Sequence, residues 1–230
     1  MPRQARILIK NYPHHIVHRG HNQAAIFHEP DDYRQYLRNL AHLKTEFGLE
    51  IYSFCLMTNH VHLIANPLAD PTRISRLMKR LAGRHTRYIN RKLGRSGSLW
   101  GGRYHVSPID TDAYLMECCR YVELNPVKAG MVELPGKYPW SSYRAKVGNT
   151  TMPWLDCDPA FLALGENRAQ RVARYRQFVE NAPRVRQTQK LIREAAARNQ
   201  LTGGAAFRDR IEAEVGVRVQ NRGPGRPRKG

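Results

Sequence analysis

The sequence predicts an α+β domain, an antiparallel sheet backed by helices, followed by a helical extension. Three observations predict it. Short apolar segments alternate with longer amphipathic stretches at helical spacing. Two of the short segments are separated only by Thr58-Asn59, the spacing of an antiparallel hairpin. Strand-like patterning stops near Tyr143, and only helical patterning follows.

Taken in order, Tyr12 to Gly20 reads as a short strand ending at a glycine. Pro30-Asp31-Asp32 opens a helix, since proline fits the first turn and acids complement the helix dipole there. Tyr33, Tyr36, Leu37, Leu40 and Leu43 give it one apolar face, and Gly48 ends it. Leu49 to Met57 and His60 to Ala65 are the two arms of the hairpin, closed by Asn66-Pro67. Residues 72–93 form a second helix with Ile74, Leu77, Met78 and Leu81 inward. Its other face is basic, with Arg73, Arg76, Lys79, Arg80, Arg84, Arg87, Arg91 and Lys92. A glycine-rich loop, 94–102, leads to a strand from Arg103 to Ile109. Asp110-Thr111-Asp112 supplies capping side chains for a third helix carrying Tyr114, Leu115, Cys118 and Tyr121. Asn125-Pro126 interrupts that helix. The expected organisation is a domain over 1–147, a linker over 148–165 signalled by Pro153 and Asp158-Pro159, helices within 166–220, and a basic tail over 221–230.

Of the 230 residues, 41% are hydrophobic, enough for a core, while 38 Lys and Arg stand against 19 acids. The net charge is +19, spread as +11 over residues 1–155 and +8 over the rest. Such a surplus favours a polyanionic partner, because each neutralised phosphate releases condensed counterions. No apolar run reaches the roughly 18 residues of a membrane span. Ile7-Leu8-Ile9 is too short for a secretory apolar stretch, so a cytoplasmic protein is expected. The four cysteines, Cys55, Cys118, Cys119 and Cys157, form no Cys-x-x-Cys pair and read as free thiols.

The chemistry-bearing residues fall in two places. His60 and His62 are two apart on a strand, so both rings project from one face. Two neighbouring neutral imidazoles can hold a divalent cation, although strand histidines also serve as structural residues. Tyr121 and Asn125, four apart, share a helix face. A phenol of pKa near 10 is a poor nucleophile unless a cation favours its phenolate. On spacing alone Tyr121 reads first as a core aromatic, as aromatics on apolar helix faces usually are, and Asn125 as a cap before Pro126.

Five motifs, in order, decide the matter: His18-Arg19-Gly20-His21-Asn22-Gln23, His60-Val61-His62, Leu99-Trp100-Gly101-Gly102-Arg103-Tyr104, Tyr121 through Gly130 (YVELNPVKAG), and Pro139-Trp140-Ser141-Ser142-Tyr143-Arg144. Across residues 5–147 they resemble the single-tyrosine HUH transposases, and within them the REP-associated tyrosine transposases. The resemblance implies a ferredoxin-like sheet with the histidine pair on a central strand. It implies Tyr121 as nucleophile, Mg²⁺ or Mn²⁺ on His60 and His62, and Asn125 as a third ligand. It further implies single-stranded hairpin DNA as substrate, cut and rejoined through a 5′-phosphotyrosine, by a monomer or a homodimer. Tyr114, a heptad before Tyr121, is a second tyrosine off the motif. Arg103 and the basic helix face (Arg73, Arg76, Lys79, Arg80, Arg84) are candidate phosphate contacts.

Beyond the shared core, the helices within 166–220 could form a DNA-binding bundle with Thr202-Gly203-Gly204 as its turn. Gly225-Arg226-Pro227-Arg228-Lys229 resembles an AT-hook, in which Arg226 and Arg228 would enter a narrow minor groove. The alternative is a basic tail without fixed structure. Two other functions are open to such a chain: a DNA-binding protein that has lost turnover, or an RNA binder on a ferredoxin-like sheet.

Overall fold

A computed structural model describes residues 6–110, 114–180 and 186–216. Its elements are β1 (His14–Arg19), α1 (Pro30–Phe47), β2 (Glu50–Met57), β3 (His60–Asn66), α2 (Thr72–Lys92), β4 (His105–Pro108), α3 (Leu115–Glu123), α4 (Asn125–Lys128), α5 (Tyr143–Lys146), α6 (Pro159–Leu162), α7 (Arg168–Glu180), α8 (Arg186–Arg198) and α9 (Ala205–Val215). The α+β expectation holds. The sheet runs β2-β3-β1-β4, every neighbouring pair antiparallel, which is the ferredoxin-like order.

The sheet separates two layers. Ile16, Val61, Leu63 and Ala65 point to the layer of α1 and α2, where Tyr36, Leu40, Leu43, Ile74, Leu77 and Leu81 are buried. On the opposite face Cys55 and Ile64 meet Leu115, Cys118, Cys119 and Val122 of α3. In α1 the Asp32 carboxylate accepts the N–H groups of His28 and Glu29, and Gly48 ends the helix at φ 66°. All four cysteines are free, three of them buried.

Two motifs acquire structural reasons. Gly20, after β1, bridges Trp100, and its N–H donates to Asn59 O. A Cβ there would lie 2.3 Å from Ala24 O and 2.9 Å from a methyl of Ile26, so the turn closes only around a glycine. Gly20→Ala is expected to cost about 2–3 kcal/mol, read as a lower urea midpoint at unchanged slope. The Pro139–Arg144 stretch lines the outer edge of β2: Cys55 bridges Ser141, Leu56 N–H donates to Trp140 O, and Ser142 N–H donates to Phe54 O. An edge that would otherwise offer unpaired backbone groups is thereby covered.

The segment read as a linker is packed. Trp154 stacks on Phe54, Asp156 accepts from Ile51 N–H and pairs with Lys44, and Asp158 and Phe161 are buried. Pro153 and Asp158-Pro159 therefore mark turns and a helix start; Asp158 caps α6 through Phe161 N–H.

The three later helices fall within residues 166–220 but do not pack as a bundle of their own. In α7, Tyr175 and Val179 join Leu124, Tyr143, Val147 and Phe161. In α8, Ile192 joins the α3 layer, and in α9 Phe207 and Ile211 join Ile9. Thr202 sits at the outer edge of β4, donating to Pro108 O and accepting from Asp110 N–H, while Gly203 lets Phe207 pack against it. The Thr202-Gly203-Gly204 turn is thus a sheet-edge contact. Thr111 and Asp112, the expected caps, and Arg226 and Arg228 of the AT-hook-like tail lie outside the described residues.

Candidate active site

Directly paired residues of neighbouring strands project to the same face, so the register fixes which side chains meet. Val17 pairs with His62, Arg19 with His60, Cys55 with His62, and His105 with Val17. The α3 face therefore carries His60 and His62 from β3, His15, Val17 and Arg19 from β1, and His105 from β4. His15 lies diagonal to His62, within reach of a ring.

The three imidazoles form a row. His60 and His62 have ring centroids 5.0 Å apart, and His62 and His15 stack at 5.1 Å with 17° between planes. The Nδ1 atoms of both paired histidines are occupied: His60 Nδ1 lies 2.6 Å from Asn59 Oδ1, and His62 Nδ1 lies 2.8 Å from His15 Nε2. Burial holds His60 down to about 4 and His62 well below the ordinary imidazole value, with neighbouring cationic groups adding to both. At neutral pH both rings are uncharged, each with Nε2 left for a cation.

Tyr121 on α3 comes edge-on to this row, 6.0 Å from His62 and 5.8 Å from His15 between ring centroids. Lys128 Nζ lies 4.0 Å from the Tyr121 ring centroid. Burial raises the phenol above its usual pKa, while the charges of Arg193 and Arg19 pull it back down. His15, Val17, Arg19, His62, His105 and Tyr121 share a cavity of about 490 Å³, closed on one side by α8 through Arg193, Glu194 and Arg198. His62 and Tyr121 share this cavity, and His60 adjoins it through its contact with His62.

Other predicted residues are placed differently. The Asn125 Nδ2 donates to Tyr121 O (2.9 Å) and Val122 O (3.2 Å), capping the end of α3. Tyr114 sits at the N-cap of α3, away from the cavity. Arg103 is exposed, beside a loop whose Gly101 N–H donates to Arg19 O, so it borders the His60 end of the sheet. The basic face of α2 lies behind the sheet. There Arg73 and Arg76 pair with Asp70, Arg80 and Arg84 with Glu46, and Lys79 is exposed.

His15, Arg19, His105, Lys128, Arg193 and Arg198 belong to the site without having been singled out. A two-residue period along β1 from Arg19 would have pointed to His15, and Lys128 stood inside a recognised motif. Nothing local marks Arg193 or Arg198.

Two imidazoles give a partial coordination sphere. Among the described residues no group of three or more His, Cys, Asp or Glu is arranged to hold a metal. Imidazole nitrogens are borderline donors, so these two could take a divalent cation only with its remaining positions filled by oxygen ligands.

The family described as IS200-like transposases matches residues 9–125, and the chain belongs to that family. Among solved structures it is similar to a REP-associated tyrosine transposase bound to a REP hairpin, with 19% identity, TM-score 0.53, 67% of this chain and 90% of that one. It is also similar to a transposase-like protein from Deinococcus radiodurans, with 21% identity, TM-score 0.35, 45% of this chain and 83% of that one. No curated protein sequence matches. No described helix is long and apolar enough to cross a membrane.

Proposed function

We propose that this transposase cuts and rejoins single-stranded, hairpin-forming DNA through a 5′-phosphotyrosine on Tyr121. The observation that carries the reading is the edge of Tyr121 facing His62 inside one cationic cavity. His60 and His62 would hold Mg²⁺ or Mn²⁺ through Nε2, with Asn125 Oδ1 and phosphate oxygens as further ligands; the Asn125 Nδ2 is already spent on the helix end. When bound, such an ion polarises the phosphate under attack.

The chain's own residues supply the rest. Arg19, Arg193 and Arg198 give the cavity positive charge for the scissile phosphate. The charges of Arg193 and Arg19 favour the Tyr121 phenolate against the effect of burial, and the ammonium of Lys128 holds the ring by its face. In the reaction the Tyr121 oxygen bonds to phosphorus, the bond from phosphorus to the 3′-oxygen breaks, and that oxygen leaves as a hydroxyl. The number of phosphoester bonds is conserved, so a second 3′-hydroxyl can reverse the step without ATP. Likeness to a hairpin-bound structure supports a hairpin substrate. Arg103, at the His60 end, suits the strand entering the cavity. Arg73, Arg76, Lys79, Arg80 and Arg84 face away and suit the flanking duplex. Arg226 and Arg228 remain candidates for a minor-groove contact.

Incubation with labelled hairpin DNA and Mn²⁺ is expected to give a covalent adduct on a denaturing gel, lost in Tyr121→Phe. An adduct that survives in Tyr121→Phe and disappears in Tyr114→Phe would move the nucleophile. Binding without any adduct on any hairpin would favour a binding protein.

A further inference from the structure

His15 has no part in the reading above, yet its placement is unusual. It is fully buried, and its Nε2 meets His62 Nδ1 at 2.8 Å. Its own Nδ1 is buried with no hydrogen-bond partner. An orphaned polar atom costs about 1–3 kcal/mol, and a leucine would fill the same space without that cost. His14, His18 and His85 also bury an unpartnered Nδ1, but their Nε2 atoms meet backbone groups, whereas the Nε2 of His15 meets another imidazole.

The protons can be assigned by elimination. A cation on His62 Nε2 needs the lone pair of that atom, so the His62 proton must sit on Nδ1. The Nδ1–H can then donate only to His15 Nε2, which must be the acceptor. The His15 proton is consequently on its own Nδ1, the buried orphan. On His60 the corresponding partner is Asn59, whose Oδ1 can only accept. Each histidine of the pair therefore has one side-chain acceptor that commits Nε2 outward, and the two acceptors come from different elements.

We propose that His15 is a positioning residue for His62, accepting its Nδ1 proton and so presenting its Nε2 to the divalent cation. This rests on the metal reading of His60 and His62. Ligand histidines in general depend on such a partner, whose loss weakens metal binding about 10- to 100-fold.

The test is Mn²⁺ titration of the full chain followed by electron paramagnetic resonance, with far-UV circular dichroism as the folding control. His15→Leu is expected to lose about 10- to 100-fold in affinity. His15→Gln, whose side-chain oxygen can stand where Nε2 was, should stay within about threefold of the parent. In the Mg²⁺-saturated parent, ¹⁵N spectra should show the His62 proton on Nδ1. If His15→Leu binds Mn²⁺ as the parent does while His60→Ala and His62→Ala do not, the role of His15 is overturned and the metal site stands. If His60→Ala and His62→Ala leave Mn²⁺ binding unchanged, the metal site itself falls, and this inference with it. Should His15→Leu fail to fold, the ¹⁵N spectrum decides: a proton on His62 Nε2 with Mg²⁺ bound overturns the assignment.

Discussion

The protein is expected to unfold cooperatively in mild acid, with a midpoint above pH 4.5, because it buries histidines as neutral rings. His14 and His15 are held down to about 3, and His18 and His85 to about 4, in each case chiefly by burial. Three of them, His14, His18 and His85, are tied to the backbone by their Nε2 atoms. His14 accepts from Ile9 N–H, His18 donates to Gly102 O, and His85 donates to Ile26 O. In the unfolded chain each ring titrates near 6.5. Between about 6.5 and 4 the unfolded state therefore binds more protons than the native state, and stability falls as pH falls. Each histidine contributes about 1.4 kcal/mol per pH unit in that window, so four contribute ~5 kcal/mol per unit. A whole domain is stable by only about 5–15 kcal/mol. Far-UV circular dichroism against pH checks this; a chain still folded at pH 4 would contradict the burial of these rings as neutral species.

Glu123→Ala is expected to be the most damaging single substitution outside the active site. Glu123 is fully buried two residues beyond Tyr121. Its carboxylate accepts from Ser142 Oγ (2.6 Å), Tyr175 OH (2.7 Å) and Ser53 Oγ (3.1 Å), with Lys146 Nζ at 3.7 Å. Lys146 is itself buried and shared with Asp158 at 3.3 Å. The network ties α3 to β2, α5, α6 and α7 at one point. Truncating Glu123 takes the shared acceptor from three hydroxyls and leaves Lys146 with Asp158 alone, which costs about 3–5 kcal/mol. For a chain of this size that is a fall of ~10 °C in thermal midpoint. Glu123→Gln keeps the acceptor but not the charge and should fall between. Because Glu123 fixes the end of the helix that carries Tyr121, adduct formation should decline with it even below the midpoint. A midpoint within 2–3 °C of the parent, on the order of 1 kcal/mol, would show the network to be dispensable.

Much of the fold was legible locally. The Thr58-Asn59 turn, the apolar period of α1 and α2 and the proline and glycine boundaries are short-range signals, and each element lies within a few residues of its expected span. The linker was misjudged because Pro153 and Asp158-Pro159 look alike in a free segment and in a turn. The packing of Trp154 on Phe54, 100 residues earlier in the chain, leaves no trace in the local pattern.

By itself the sequence determined the histidine pair and its common face, since alternation along a strand needs no knowledge of partners. Through its ordered motifs it determined the family as well. Only the tertiary structure decided that His15 backs His62, that Lys128 underlies Tyr121, and that α8 walls the cavity with Arg193 and Arg198. Each depends on strand register or on docking between segments far apart in sequence. Such contacts are set by how whole layers pack, and the identity of neighbouring residues along the chain does not encode them.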